Sequence, residues 1–267
     1  MFGTATPLRG RHADASRPID GEHSASFART SWDALDAVRL DPDHLARGRV
    51  VAAERNDPAA WAFDLLRTRT LRALKERGWC RVAVTSPTVG CGKTFLAANL
   101  ALSLARVPSC ATILIDLDLR IPSLASLLGL RAVGALRDVL TGRTPFERHF
   151  LRVGERLALG LNARAETDAA EFLQDPGTAE ALAGIQAALQ ADVVIYDLPP
   201  VHACDDVLAF SSQIDAVLLV ARGGVTKAED IRRCERLFGE ATPILGVVLN
   251  DSEDVPTEPY GYDAKGH

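Results

Sequence analysis

The sequence predicts an α/β protein: a single domain on a mostly parallel sheet with helices on both faces, flanked by disordered termini. Three observations predict it. Short runs of Val, Ile, Leu and Ala at 80–85, 111–116, 192–197, 216–221 and 244–250 are apolar on both sides, the mark of strands buried on both faces. Segments 94–106, 178–190 and 227–238 repeat their apolar residues at helical spacing. Strand and helix also alternate along the chain, and that order favours parallel strands joined by right-handed crossovers.

Residues 1–55 are rich in Ser, Ala, Arg, Asp and Pro without a sustained apolar period, so a disordered leader is expected there. The folded domain is expected over 56–252. It opens with a helix at 59–76, where Trp61, Leu65, Leu66, Leu71 and Leu74 recur at helical spacing. The tail, 253–267, contains Pro256, Pro259 and two glycines and is expected to be mobile.

Between the run at 80–85 and the helical run that follows lies Ser86-Pro87-Thr88-Val89-Gly90-Cys91-Gly92-Lys93-Thr94. A strand, a glycine-containing turn ending in Lys-Thr and then a helix is the arrangement that binds nucleoside triphosphates. Glycines at 90 and 92 let several N–H groups point into one concavity, and the helix N-terminus adds the positive end of its dipole. Lys93 is placed to reach the terminal phosphates and Thr94 to hold magnesium. Pro87 stands where the strict G-x-x-x-x-G-K-[ST] pattern has its first glycine.

The strand at 111–116 ends in Asp116, with Asp118 two residues on; side chains two apart on an extended chain share a face. The strand at 192–197 ends in Asp197, followed by Leu198-Pro199-Pro200. Such strand-end carboxylates are outer-shell magnesium holders in phosphate-loop proteins, although alone each is as often a cap or turn former. Asp206 reads as a helix cap, and Tyr196, inside a buried strand, as packing.

A net charge of −5 gives no field that would draw in nucleic acid. No apolar run of 18 residues occurs, and five scattered cysteines lack C-x-x-C spacing, so membrane insertion, a disulfide framework and a zinc site are not expected. A cytoplasmic chain fits these features, with any membrane address supplied peripherally by a partner.

The Gly-x-Gly-Lys-Thr loop, Asp116-x-Asp118-x-Arg120-x-Pro122, Asp197 with Pro199-Pro200, and Gly246-Val247-Val248-Leu249-Asn250 together resemble the bacterial tyrosine kinases of capsule and exopolysaccharide synthesis. That family belongs to the partition and division-site ATPases with a deviant Walker loop. The resemblance covers roughly residues 60–252. It implies an ATP-dependent protein tyrosine autokinase that uses ATP and Mg2+. Val89, Gly90, Cys91, Gly92, Lys93, Thr94, Phe95 and Asn250 would bind ATP, Asn250 by reading adenine. Thr94, Asp116 and Asp197 would hold the metal, and Lys93, Asp116 and Asp118 would be catalytic. Tyr260 and Tyr262 would be phosphoacceptors. The implied partners are a membrane-embedded polysaccharide co-polymerase acting as activator, and further copies of the chain as a dimer or larger homo-oligomer.

Two departures from the family are legible. Its ring-assembly pattern E-x-x-R-x-x-R meets Trp61, Asp64 and Arg67 here, so only Arg67 matches, and the tyrosine cluster is short. A partition-type ATPase switch and a nucleotide-binding scaffold without kinase activity are the competing readings. Thr88, near the place of the partition ATPases' signature lysine, favours the kinase.

Overall fold

The structure is a computed structural model that describes residues 31–53, 60–240 and 242–252. Eight strands form one sheet: β1 (Asp36–Val38), β2 (Arg81–Thr85), β3 (Thr112–Asp116), β4 (Leu151–Val153), β5 (Leu157–Gly160), β6 (Val193–Asp197), β7 (Ala216–Arg222) and β8 (Ile244–Asn250). Their order is β1-β4-β5-β3-β6-β2-β7-β8, and every pair is parallel except the β4–β5 hairpin. The chain leaves β2 for β3 on one side and later reaches β7 on the other. The carboxyl ends of β2, β3 and β6 therefore border the crevice where ligands of such sheets bind.

The longer helices connect these strands: α2 (Ala60–Arg77), α3 (Lys93–Ala105), α7 (Pro176–Leu189) and α9 (Ala228–Phe238). Shorter ones are α1 (Pro42–Arg47), α4 (Leu124–Leu127), α5 (Leu136–Leu140), α6 (Ala169–Gln174) and α8 (Asp206–Ala209). Helix α3 is buried without a break from Leu96 to Leu104, as suits a helix apolar all round. It fills one face of the sheet with Val82, Val84, Leu114 and Ile195. On the other face Ile113, Ile115, Tyr196, Phe210, Leu182 and Phe238 form the second core. Tyr196 is packing, as its sequence context suggests: it meets Phe210 edge-on, with ring centroids 5.0 Å apart, and burial raises its phenol pKa.

Two expectations need correction, and one hairpin adds to them. The leader does not stay unstructured to residue 55, because residues 31–53 carry β1, α1 and a 3-10 turn (Val51–Ala53). Trp32 packs into the core and its Nε1 donates to Leu189 O at 2.7 Å, while β1 adds an edge strand beside β4. The apolar residues that do this are spaced too irregularly to show a period. Residues 1–30 and 54–59 lie outside the described residues.

Strand β8 is not buried on both faces. It is the last strand of the sheet, and Val247 and Leu249 are exposed on one side of it. The hairpin β4–β5 carries no strong alternation and was not anticipated. It turns through Gly154 at φ +60° and lies between β1 and β3.

Candidate active site

The phosphate loop is fixed from two sides. Thr85 Oγ1 donates to Pro199 O at 2.6 Å, Val201 N to Ser86 O at 2.8 Å and His202 N to Pro87 O at 3.1 Å. The segment after β6 is thereby tied to the start of the loop, with Pro87 buried in the place of the absent glycine. Gly90 and Gly92 have φ of +81° and +90°, which L side chains rarely adopt. Asn250 Nδ2 donates to Cys91 O at 2.9 Å from the end of β8, and a Cβ on Gly92 would collide with that amide. Cys91 is 1% exposed, with its sulfur 3.6 Å from the Thr88 and Thr226 hydroxyls. Such a site wants a small residue.

Sheet register brings the acids together. Asp116 and Asp197 are Cα partners at the ends of neighbouring strands β3 and β6. Lys93, the first residue of α3, reaches between Asp118 and Asp197: its Nζ lies 2.7 Å from Asp118 Oδ2, 3.3 Å from Thr94 Oγ1 and 3.7 Å from Asp197 Oδ1. Asp116 Oδ2 accepts from Ser123 N (3.2 Å) and Leu124 N (3.1 Å), and Asp118 Oδ1 from Ile121 N (3.0 Å). Ser123 Oγ also stands 3.2 Å from Thr94 Oγ1. Sequence reading did not single out Ser123, and only its position just after the acidic segment would have pointed to it.

Burial, reinforced by the facing Asp197, pushes the Asp116 carboxyl well above the usual range. Burial raises Asp197 too, and Lys93 offsets it only in part. For Lys93 burial works against the ammonium, but Asp197 and Asp118 outweigh it and hold the pKa above its ordinary value. Lys93 is thus one basic group set among three acidic side chains.

Asp116 Oδ1 and both Asp197 oxygens are buried without a hydrogen-bond partner. Orphaned carboxylate oxygens beside Thr94 are an expensive arrangement in a folded protein unless a cation completes it. Among the described residues no three His, Cys, Asp or Glu side chains are grouped to hold a metal by themselves. That pattern suits magnesium, which takes one or two carboxylates from protein and the rest of its ligands from phosphates and water.

The remaining candidates fall into three groups. Val89 is 74% exposed at the tip of the loop, whereas the Phe95 ring turns away and meets Phe63 of α2 edge-on at 5.7 Å. Asn250 stands at the loop, with one of its two amide N–H groups donated to Cys91 O. Tyr260 and Tyr262 lie outside the described residues.

Arg120 is held by Asp206, whose fully buried carboxylate takes its Nε at 2.9 Å and its Nη2 at 2.7 Å. Asp206 thus does more than begin α8. On α2, Asp64 Oδ1 is shared among Arg67, Ser103 and Arg106, so this acid ties α2 to α3. Trp61 is 51% exposed. All five cysteines are free thiols, and no helix among the described residues is long and apolar enough to cross a membrane.

A family model named ParA, described as NUBPL iron-transfer P-loop NTPase, matches residues 80–258. The chain is 31% identical over 226 residues to a putative tyrosine-protein kinase, EpsB, of Ralstonia solanacearum; the match spans 82% of this chain and 29% of that protein. It is 28% identical to the tyrosine-protein kinase YwqD of Bacillus subtilis, over 75% of this chain and 84% of the relative. The chain thus spans less than a third of EpsB and most of YwqD. Among solved structures, the kinase domain of the Escherichia coli tyrosine kinase ETK superposes with a TM-score of 0.70 at 25% identity, covering 80% of this chain and 84% of that one.

Proposed function

The chain belongs to the ParA family of P-loop NTPases, in the branch that holds the bacterial tyrosine kinases, and from that premise we propose that it is an Mg-ATP-dependent protein tyrosine kinase. The observation that carries the reading is the cluster at the ends of β2, β3 and β6. Lys93 and Thr94 there face three acids, and Asp116 Oδ1 and both Asp197 oxygens are buried without a hydrogen-bond partner, Asp197 Oδ1 standing 3.7 Å from Lys93 Nζ.

Thr94, Asp116 and Asp197 would hold magnesium, which supplies neutralisation of charge on the β and γ phosphates. The N–H groups of residues 89–95 cradle those phosphates at the N-terminus of α3. Lys93 exchanges Asp118 for the phosphate oxygens when nucleotide enters. Asp118, freed from a 2.7 Å ion pair, then orients the phenol of the acceptor. The phenol oxygen bonds to the γ-phosphorus, the bond to the β–γ bridging oxygen breaks, ADP leaves and Asp118 takes the phenol proton. The proton moves late, and alignment of the phenol supplies most of the acceleration.

Tyr260 and Tyr262 are the proposed acceptors, on this chain or a neighbouring copy, and capsule or exopolysaccharide polymerisation or export is the proposed process. A membrane-embedded activator and peripheral attachment at the inner membrane belong to the same proposal. Radiolabelled ATP with Mg2+ and an activator peptide should label Tyr260 or Tyr262, read by mass spectrometry. Lys93→Met should remove at least 99% of the label. ATP turnover without tyrosine label, unchanged on deleting residues 253–267, would replace this reading with the partition-type switch.

A further inference from the structure

The turn that follows β3 aims the acids of the site through its backbone. Asp118 Oδ1 is oriented by Ile121 N, and Asp116 Oδ2 by Ser123 N and Leu124 N. Apolar packing does little to hold that backbone: Ile121 is 71% exposed, and Pro122 and Ser123 are half-buried before Leu124 enters the core. Its start is held by ties from outside. Glu166 N donates to Leu119 O at 2.8 Å, and the Arg120 guanidinium closes as a fork on Asp206, Nε at 2.9 Å from one carboxylate oxygen and Nη2 at 2.7 Å from the other. Arg120 Nη1 also reaches Thr167 O at 3.5 Å.

Asp206 is fully buried, whereas Arg120 is part-exposed. An ion pair with one partner taken this far out of water adds little stability over apolar residues of the same shape, so fixing one geometry is the better account of it. The two-point fork sets the plane of the guanidinium as well as its place. The far end of the tie leads back to the phosphate loop. Asp206 closes the segment 198–206, in which Pro199 O, Val201 N and His202 N are bonded to Thr85, Ser86 and Pro87. Arg120 therefore links the turn that aims Asp116 and Asp118 to the segment that braces the loop.

We propose that Arg120 and Asp206 are positioning residues for transfer to tyrosine: their fork holds the turn at 118–124 so that Asp118 meets the acceptor phenol in line with the γ-phosphate carried by the loop. The proposal deepens the kinase reading and rests on it for the identity of the acceptor. Neither residue touches phosphate or phenol; both act through the backbone that orients the acids. The consequence for selectivity is geometric. A phenol fixed to a peptide has few ways to approach the phosphorus, whereas water reorients freely, so a turn that can shift costs the tyrosine more than it costs water. Loosening the fork lowers kcat for tyrosine, leaves the affinity for ATP nearly as it was and diverts phosphate to water.

The test uses the full chain, Mg-ATP and a synthetic peptide of residues 253–267, with phosphotyrosine and free phosphate counted in the same reaction. Arg120→Gln and Asp206→Asn should each lower kcat for the peptide by roughly 10–100-fold, keep KM for ATP within about twofold and raise the share of phosphate passed to water. Arg120→Lys keeps the charge but not the fork and should regain several-fold of that loss. The two Arg120 variants, at a part-exposed position, carry the test if Asp206→Asn does not fold. Asp215→Asn breaks another buried tie, that to Arg81 at the amino ends of β2 and β7, and should leave the ratio of tyrosine to water unchanged. Amide exchange is the second readout: the N–H groups of Ile121, Ser123 and Leu124 should exchange about fivefold faster in Arg120→Gln than in the wild type. Unchanged kcat in both Arg120 variants, or a ratio that falls as far in Asp215→Asn, overturns the proposal. A wild-type chain that passes phosphate only to water sinks the kinase reading instead, and exchange then decides the brace on the two acids: faster amides in Arg120→Gln keep it, unchanged amides remove it.

Discussion

Gly92→Ala separates two costs that the loop geometry makes distinct. The first is backbone strain: at φ +90° a residue bearing Cβ loses about 1–2 kcal/mol. The second is the collision of that Cβ with the Asn250 amide, which would have to give up its 2.9 Å bond to Cys91 O, a further loss of about 1 kcal/mol. The sum, about 2–3 kcal/mol, corresponds to a melting temperature lower by roughly 4–12 °C for a chain of this size. Gly90→Ala is the internal control. Its φ is +81°, but its Cβ would find nothing nearer than Arg222 Nη1 at 3.9 Å, so only the strain remains. Asn250→Ala added to Gly92→Ala removes the collision and counts the lost bond once, so the double variant should be at least about 1 kcal/mol more stable than the sum of the single losses. Thermal melts of the four proteins without nucleotide decide it. Equal losses for the Gly90 and Gly92 variants, or strict additivity with Asn250→Ala, would refute the claim that the end of β8 braces the loop.

Trp32→Ala should destabilise the domain by about 3–5 kcal/mol in urea melts, since it empties a core position and orphans Leu189 O. Asp206→Asn should cost about 1–3 kcal/mol and loosen the segment around Arg120, seen as faster hydrogen exchange at residues 118–123. Asp215 supplies the pH dependence. Burial disfavours its charge, but N–H bonds from Cys80 and Arg81 and the Arg81 guanidinium outweigh that and hold its pKa below the ordinary value. Its stabilisation is therefore present above the unfolded pKa of about 4 and is lost as pH falls through the lower folded value. Asp215→Asn should accordingly lose stability at pH 7 and show a flatter decline below pH 4, and parallel curves for variant and wild type would count against it.

Sequence carried the fold class and the inner sheet because those elements are specified locally. Strands β2, β3, β6 and β7 are apolar on both sides for lack of any solvent-facing surface, and α3 announces itself by the loop at its N-terminus. Lys93, Thr94, Asp116, Asp118 and Asp197 were legible because each sits at a strand end or helix start whose place follows from pattern alone. The β1–β4 end of the sheet was not legible. Strands β1 and β4 are three residues each, too short for a period to register, and they persist through Trp32 and the pairing with β5.

What tertiary structure alone decided is who faces whom. Asp116 and Asp197 are 81 positions apart and become partners only through the register of β3 with β6, which forces two buried carboxylates into one crevice, with Lys93 3.7 Å from Asp197. Asn250 and Cys91, separated by 159 positions, meet because β8 closes the same edge of the crevice. The chain's letters determine that phosphates can be bound; long-range pairing determines the cluster of acids and orphaned oxygens that make a metal-bearing phosphate fit there.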